Sequence, residues 1–333
     1  MIGFSPLRRK LHLSMLGLAA AGSMLMAAAT QAAEWPDRPI QLVVPFPPGS
    51  SPDTLARAIA EPLAKELGQA IVVENKAGAG GNIGTRYASR AKPDGYTMLL
   101  TINGPMVTAP TLYKKTLGYD PLNDLDPISL VGTSPNVLVV PADSPATTLQ
   151  EFVRLAKEKP GALNYGSVGP GSSSHLGMAM LEHQAGIKLL QIPYTGFPQI
   201  ITSIIAGDIQ AGFMVPGVAM PQVNAGKVRA LAITSLESSE ILPGLPTVAS
   251  QGYPGFESIS WDAIFVPAGT PADIVEKMNA SITRILALPE IKQKMAALYF
   301  TPAPSSPAEL TKLVEDEKLR WDEVINRLNL SLD

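Results

Sequence analysis

No cysteine occurs among the 333 residues. Disulfides, thiolate nucleophiles and cysteine-held zinc or iron–sulfur centres are thereby excluded. Histidine is almost as scarce, three in the whole chain, and only His175 and His183 lie beyond the N-terminal leader. Two isolated imidazoles without a thiolate are too few ligands for a transition-metal site, so neither a metal nor a cofactor is expected. Charge is thin as well. Charged residues make up 17% of the chain, with 26 Lys and Arg against 29 Asp and Glu. An acidic balance without a basic stripe excludes a nucleic-acid partner. Beyond the leader no apolar run is long enough to span a bilayer. What the chain does have is 46% hydrophobic residues, a globular composition, in a length that suits two units of about 100–200 residues each.

The leader reads as a secretory signal. Arg8-Arg9-Lys10 forms a positive start, Leu13 to Ala29 is an almost uncharged apolar run, and Thr30-Gln31-Ala32 supplies small residues before a cleavage point near Ala33. A retained membrane anchor is the alternative, and Arg8-Arg9 leaves Sec and twin-arginine export both open. Removing residues 1–33 takes three basic residues with it, so the formal charge moves from −3 to −6. A soluble protein exported to the periplasm is the expectation.

From Ile40 onward, short β-branched runs alternate with amphipathic stretches. Strands are expected at Ile40–Val44, Ile71–Val73, Tyr96–Leu100, Val137–Val140, Val228–Ile233 and Ala263–Val266. Helices are expected at Pro52–Leu67, Leu149–Lys159, Ser174–Ala185, Gln199–Ala206, Ala272–Leu288 and Pro307–Ile325. Such alternation argues for an α/β fold with mainly parallel sheets covered on both faces.

Ligands of open α/β sheets bind at the carboxyl ends of strands, near helix N-termini. Three loops suit that place. Gly49-Ser50-Ser51-Pro52-Asp53 offers an N-cap serine, an early proline and an acid in the first helical turn. Gly169-Pro170-Gly171-Ser172-Ser173-Ser174-His175 is a second entry into a helix, and Gly78–Gly84 is a third loop. The first two stand far enough apart to belong to different lobes. An anion held between them needs no Arg or Lys, because helix-end amides and hydroxyls supply the donors.

Enzymatic readings of these motifs fail on spacing. In Gly78–Gly84 the third glycine of G-x-G-x-x-G falls one residue late, at Gly84, which leaves a flexible turn as the better account. Tyr165-Gly166-Ser167-Val168-Gly169 lacks the first glycine of a nucleophile elbow. His175 beside three serines is adjacency rather than triad geometry, so no catalytic residue is assigned and a secreted hydrolase is the weakest alternative. Asp53 is either a dipole-stabilised cap or an orienter of the ligand loop. Trp261 is either core or pocket wall. The acidic run Glu315-Asp316-Glu317 reads as a solvated helix face.

Several longer motifs, in order, resemble one family. These are Trp35-Pro36-Asp37-Arg38-Pro39-Ile40, Pro45-Phe46-Pro47-Pro48-Gly49 with Asp53-Thr54-Leu55-Ala56-Arg57, Val73-Glu74-Asn75 through Gly84, and Pro93-Asp94-Gly95-Tyr96-Thr97. Tyr165-Gly166-Ser167 with Ser174-His175-Leu176, Pro193-Tyr194 with Gly196, and Pro267-Ala268-Gly269-Thr270-Pro271 continue the series. Together they are similar to the Bug-type extracytoplasmic solute receptors of tripartite tricarboxylate transporters. The resemblance implies a periplasmic binding protein-like, Venus-flytrap fold. Lobe one would comprise residues 34–138 plus 261–333, and lobe two residues 139–260, with a hinge near Val139 and Ser260. It implies a small carboxylate as ligand, membrane permease subunits as partners, and a monomer. By the same resemblance, Phe46, Pro48, Ser50, Ser51 and Asp53 would face Ser167, Ser172, His175, Tyr194 and Thr195 across the ligand, with Met214, Trp261 and Asp262 completing the candidate set.

Departures bear on the ligand. Ser50 stands where many members have a second glycine, and Met214 where many have an aspartate that could hold an ammonium. Ala179 and Ser203 likewise replace acids. A dicarboxylate or aromatic carboxylate without an amino group is therefore expected. A periplasmic sensor that presents the bound acid to a receptor kinase is the other reading the same residues allow.

Overall fold

The computed structural model describes residues 35–333, so the leader and its cleavage point lie outside the described residues. Ile40–Val44 (β1) is apolar at four of five positions and sinks into a sheet buried on both faces. It stops where Pro45, Pro47 and Pro48 remove the backbone donors that a strand needs. Ser51–Leu67 (α1) follows, with proline in its first turn and a left-handed Gly68 at its end, whose N–H returns to the Ala64 carbonyl at 2.9 Å. Ile71–Asn75 (β2), Asn82–Ser89 (α2) and Thr97–Ile102 (β3) complete two parallel crossovers around β1.

After β3 the chain makes a wide helical turn at Gly104–Thr108, the short helix Ala109–Leu112 (α3), and the eleven-residue strand Leu125–Pro135 (β4). Val137–Pro141 (β5) follows after a single residue, Asn136. The middle of the chain then runs through Leu149–Glu158 (α4), Asn164–Ser167 (β6), Ser173–Ala185 (α5), Leu190–Pro193 (β7) and Phe197–Ala206 (α6). Gly212–Met214 (β8), Pro216–Asn224 (α7) and Val228–Ile233 (β9) follow. Ile259–Pro267 (β10), Ala272–Ala287 (α8), Pro289–Ala297 (α9), Thr301–Pro302 (β11) and Pro307–Arg327 (α10) end it.

These strands form a six-stranded sheet in the order β11-β4-β10-β3-β1-β2, a three-stranded sheet β8-β5-β9, and the pair β6-β7. Among the described strands, β1 pairs in parallel with β2 and β3, and β6 with β7, and isolated parallel bridges join Tyr165 to Ala211 and Ile233 to Thr247. The pairings β3-β10, β10-β4, β4-β11, β5-β8 and β5-β9 are antiparallel. The expectation of mainly parallel sheets is corrected accordingly: the fold is α/β, but the six-stranded sheet is mixed and the three-stranded one antiparallel. In the larger sheet the reason is β10, which returns from the smaller sheet and inserts between β3 and β4 in the opposite direction.

The chain changes sheets at two places, between Pro135 and Val137 and again before Ile259. A buried polar knot ties these crossovers together. Asn136 N–H donates to the Thr234 hydroxyl at 2.8 Å, the same hydroxyl donates to the Ser258 carbonyl at 2.8 Å, and Ser258 N–H returns to the Thr234 carbonyl at 2.9 Å. One large apolar cluster packs beneath, taking Val43 and Leu99 from the six-stranded sheet, Leu138 and Phe213 from the three-stranded one, and Leu310, Val314 and Trp321 from α10. A second cluster packs between the smaller sheet and α6, taking Val137 and Met214 from the strands and Ile200 and Ile204 from the helix.

Candidate functional site

The first loop is built around Asp53. The residue is 2% exposed, and both carboxylate oxygens bond inward. Gly49 N–H donates to Oδ2 at 2.8 Å and Asn75 Nδ2 donates to Oδ1 at 2.8 Å, while Arg57 Nε sits 3.1 Å from both oxygens. Burial works against the charge of Asp53, but Arg57, Gly49 and Asn75 outweigh it and hold the carboxyl below its ordinary value. Asn75 also donates to the Phe46 carbonyl at 3.0 Å, so one carboxylate and one amide clamp both ends of the Phe46–Ser50 loop. Asp53 thus has no free oxygen directed outward and works as the loop's anchor.

Ser50 occupies the N-cap position of α1, as expected, yet its hydroxyl makes no capping bond. Its Oγ is buried without a partner. Ser51 is exposed in the first turn, Pro48 is exposed on the loop, and Phe46 is half-buried.

The Gly78–Gly84 loop supports Phe46 from the side. Gly78, Gly80 and Gly81 have positive φ, which glycine tolerates without steric cost, and Ala79 between them is held at φ +47°. A methyl placed on Gly81 would lie 2.8 Å from the Phe46 ring and 2.8 Å from Pro105, and one on Gly84 would lie 2.6 Å from the Lys76 carbonyl and 2.7 Å from Pro45 Cβ. The missing side chains let α2 approach the end of β1. What the sequence presents as a flexible turn is a tightly wound bed for the Phe46 loop.

The second loop closes on itself through serines. Ser172 caps α5, accepting from His175 N–H at 3.3 Å, and donates to the Gly169 carbonyl at 2.7 Å. Ser174 Oγ accepts from Val168 N–H at 3.1 Å. Ser167, wholly buried at the end of β6, accepts from Gln191 Nε2 at 2.7 Å. His175 is 7% exposed. Its Nδ1 accepts Gly171 N–H at 3.0 Å, which places the ring proton on Nε2. Burial lowers its pKa and keeps the imidazole neutral. Among the described residues no carboxylate orients the ring and no side chain takes the Nε2 proton. The arrangement is that of a neutral hydrogen-bond donor.

Tyr194 is half-buried, with its N–H on the Ser167 carbonyl at 2.8 Å, and Thr195 is exposed just before α6. Met214 is fully buried in the second apolar cluster. Trp261 is 1% exposed in the large core, its Nε1–H on Glu317 Oε2 at 2.9 Å. Asp262, beside it on β10, sits opposite Ile102 of β3 and Gly132 of β4. Its Oδ1 has no partner, and burial raises its pKa to about 8. Glu317 corrects the reading of its run as a solvated face: Glu315 and Asp316 are exposed, but Glu317 is 6% exposed.

Residues 55–330 match the profile of the tripartite tricarboxylate transporter family receptors. The chain belongs to that family. It is 34% identical over 307 residues to the protein BugT of Bordetella pertussis, covering 92% of this chain and 94% of BugT. A solved structure of Rpa4515 from R. palustris with adipate shares 32% identity at a TM-score of 0.79, covering 90% of this chain and 99% of that one. The MatC protein of Rhodopseudomonas palustris with bound malate shares 31% identity at a TM-score of 0.75, covering 87% and 100%. Receptors of this family are periplasmic solute-binding proteins rather than enzymes, and the two-lobed periplasmic binding protein fold is theirs. No helix among the described residues is long and apolar enough to cross a membrane, and no group of His, Asp and Glu among them is arranged to hold a metal ion.

Asn75, Arg57 and Gln191 are supporting residues to which the sequence alone assigns no role. Asn75 and Arg57 stand within the quoted motifs Val73-Glu74-Asn75 and Asp53-Thr54-Leu55-Ala56-Arg57. Arg57 carries the one available signal, lying four residues after Asp53 on a helix. Gln191 has none, since its bond to Ser167 depends on the pairing of β6 with β7.

Proposed function

We propose that this receptor captures a small carboxylate without an amino group, between a lobe built on the six-stranded sheet and a lobe spanning residues 139–260, and delivers it to the membrane subunits of its transporter. The observation that carries this reading is the donor set. His175 offers a neutral Nε2–H, and Ser50 keeps a hydroxyl with no protein partner beside the N-terminus of α1. Both suit an anion, and helix-end amides add positive potential without a cation. In this reading Phe46, Pro48, Ser51, Tyr194 and Thr195 would line the ligand beside them.

The carboxylates on hand do not suit an ammonium. Asp53 is already matched by Arg57, Asn75 and Gly49, and Asp262 is closed inside the sheet. Met214 supplies no acid. Closure would be a hinge motion at the two crossovers, where Asn136, Thr234 and Ser258 form a short hydrogen-bonded pivot. The leader would be cleaved near Ala33, and a monomer suffices for the task.

The test is a thermal-shift comparison on the chain starting at Glu34, using an aromatic carboxylate and two matched pairs: succinate against aspartate, and glutarate against glutamate. A ligand bound only by the folded form raises the melting temperature by mass action. The reading expects a saturable rise for the amino-free member of a pair or for an aromatic acid. A larger rise for aspartate or glutamate contradicts it.

A further inference from the structure

The loop that carries His175 does not stand alone. Gly171 has φ of +76°, and a methyl built on it would lie 2.5 Å from Leu112 Cδ1 and 3.4 Å from Leu332 Cδ1. The Leu112 side chain therefore fills the place that a side chain at this position would take, and Leu332, from a distant part of the chain, borders the same place. Leu112, at the end of α3, is 2% exposed. Leu332 belongs to the segment after α10, which is pinned to the α3 region at several points. Leu332 N–H donates to the Leu112 carbonyl at 2.8 Å, and Asp333 Oδ1 accepts from Lys115 N–H at 2.8 Å and from the Thr116 hydroxyl at 3.3 Å. On its other side, Gly171 gives its N–H to His175 Nδ1.

We propose that Leu112 and Leu332 are positioning residues for His175: they wedge Gly171 from below, so that its N–H fixes the imidazole with Nε2–H presented as donor to the ligand. The Gly169 carbonyl accepts Ser172 N–H at 3.3 Å across Pro170 and Gly171, a turn in which proline presets the first central position and glycine takes the positive φ of the second. Its internal shape is therefore set locally, and Ser172 fastens its far end by bonding the Gly169 carbonyl and capping α5. What the leucines add is a seat beneath Gly171 that keeps the turn from tilting away from the imidazole. Without it the Nδ1 acceptor loses its donor, and the ring can change tautomer or rotate. The inference rests on the reading of His175 as a ligand donor.

The experiment needs no ligand, so its outcome stands apart from that of the carboxylate reading. The chain from Glu34 contains two histidines, His175 and the exposed His183, and nitrogen-15 spectra of histidine-labelled protein report the tautomer and titration of each. In the unaltered protein His175 is expected as a single Nε2–H tautomer. In Leu332→Ala it is expected to become a tautomer mixture whose titration moves up toward the ordinary value of about 6.5. Leu332→Met, which conserves volume, is expected to restore the original pattern. Leu332 is half-buried near the chain's end, so the alanine variant is expected to stay folded. Asp333→Ala loosens the same segment without touching the core and is expected to move His175 in the same direction. With any acid that binds, Leu332→Ala is expected to weaken affinity by about 3- to 10-fold, the size of one lost hydrogen bond. An unchanged His175 tautomer and titration in both folded variants overturns the proposal.

Discussion

Trp261 Nε1–H donates to Glu317 Oε2 at 2.9 Å, joining a strand of the six-stranded sheet to α10 through a buried carboxylate. Arg320 NH2 meets the other oxygen at 2.9 Å, and Arg320 NH1 reaches Glu257 at 3.2 Å, just before β10. Burial pushes the Glu317 pKa up to about 6 despite Arg320 and Trp261. A folded-state value above the unfolded one means that the proton is held more tightly in the folded chain. Stability from this group is therefore full below about pH 4.5 and lost as pH rises through 6. The Glu317→Gln variant keeps an acceptor for the indole and removes the titration. Its stability is expected to be flatter across that window, by about 2 kcal/mol from end to end. Urea denaturation at a series of pH values measures this, and an unchanged slope contradicts it.

Asp262 gives a larger effect of the same sign. With the folded-state pKa near 8, its contribution is full below about pH 4 and declines as pH rises through 8, by on the order of 1.4 kcal/mol per unit. Asp262→Asn is expected to be more stable than the parent at pH 8 and to lose that advantage near pH 4. Calorimetric melting at the two pH values checks the crossover.

Asp53 behaves in the opposite way. Its carboxyl is held below the ordinary value, so its contribution is present above the unfolded-state pKa and lost as pH falls through the folded-state one. Asp53→Asn is expected to cost about 1–3 kcal/mol at pH 7, because Gly49, Arg57 and Asn75 lose a charged acceptor. The penalty should shrink toward pH 3. Ligand affinity should fall as well, since the Phe46–Ser50 loop is released. A variant with normal stability and normal affinity at pH 7 refutes the anchoring role.

Elements with a strong local pattern were legible in the sequence. Ile40–Val44 reads as a fully buried strand, and Ser50 with Pro52 marks the start of α1, because uniform burial and early-turn chemistry are local properties. The strand β4 was invisible: Pro127, Ser129, Gly132 and Ser134 interrupt any alternation, and it forms because β10 pairs along its length. The strands β6, β7 and β8 are three or four residues long, too short for a period to show. Glu317 was misread through its acidic neighbours, although it lies on the helical stripe Leu310, Val314, Glu317, Trp321 and Val324, which was the available signal. The loops around Ser50 and His175 could be named from sequence. Which of their polar atoms stay free could not, because Asn75 and Gln191 reach them only through sheet pairing.

Carboxylate capture is measured by titration calorimetry of the chain from Glu34, first confirmed free of retained ligand by mass spectrometry of a denatured extract. Adipate, malate, succinate and an aromatic acid would be titrated alongside glutamate. The account predicts saturable one-site binding of at least one acid lacking an amino group, with Kd on the order of 1 µM, or about −8 kcal/mol. It also predicts a marked loss of that affinity in His175→Phe. Absence of binding heat for every acid in ligand-free, folded protein, or binding confined to glutamate, would contradict it.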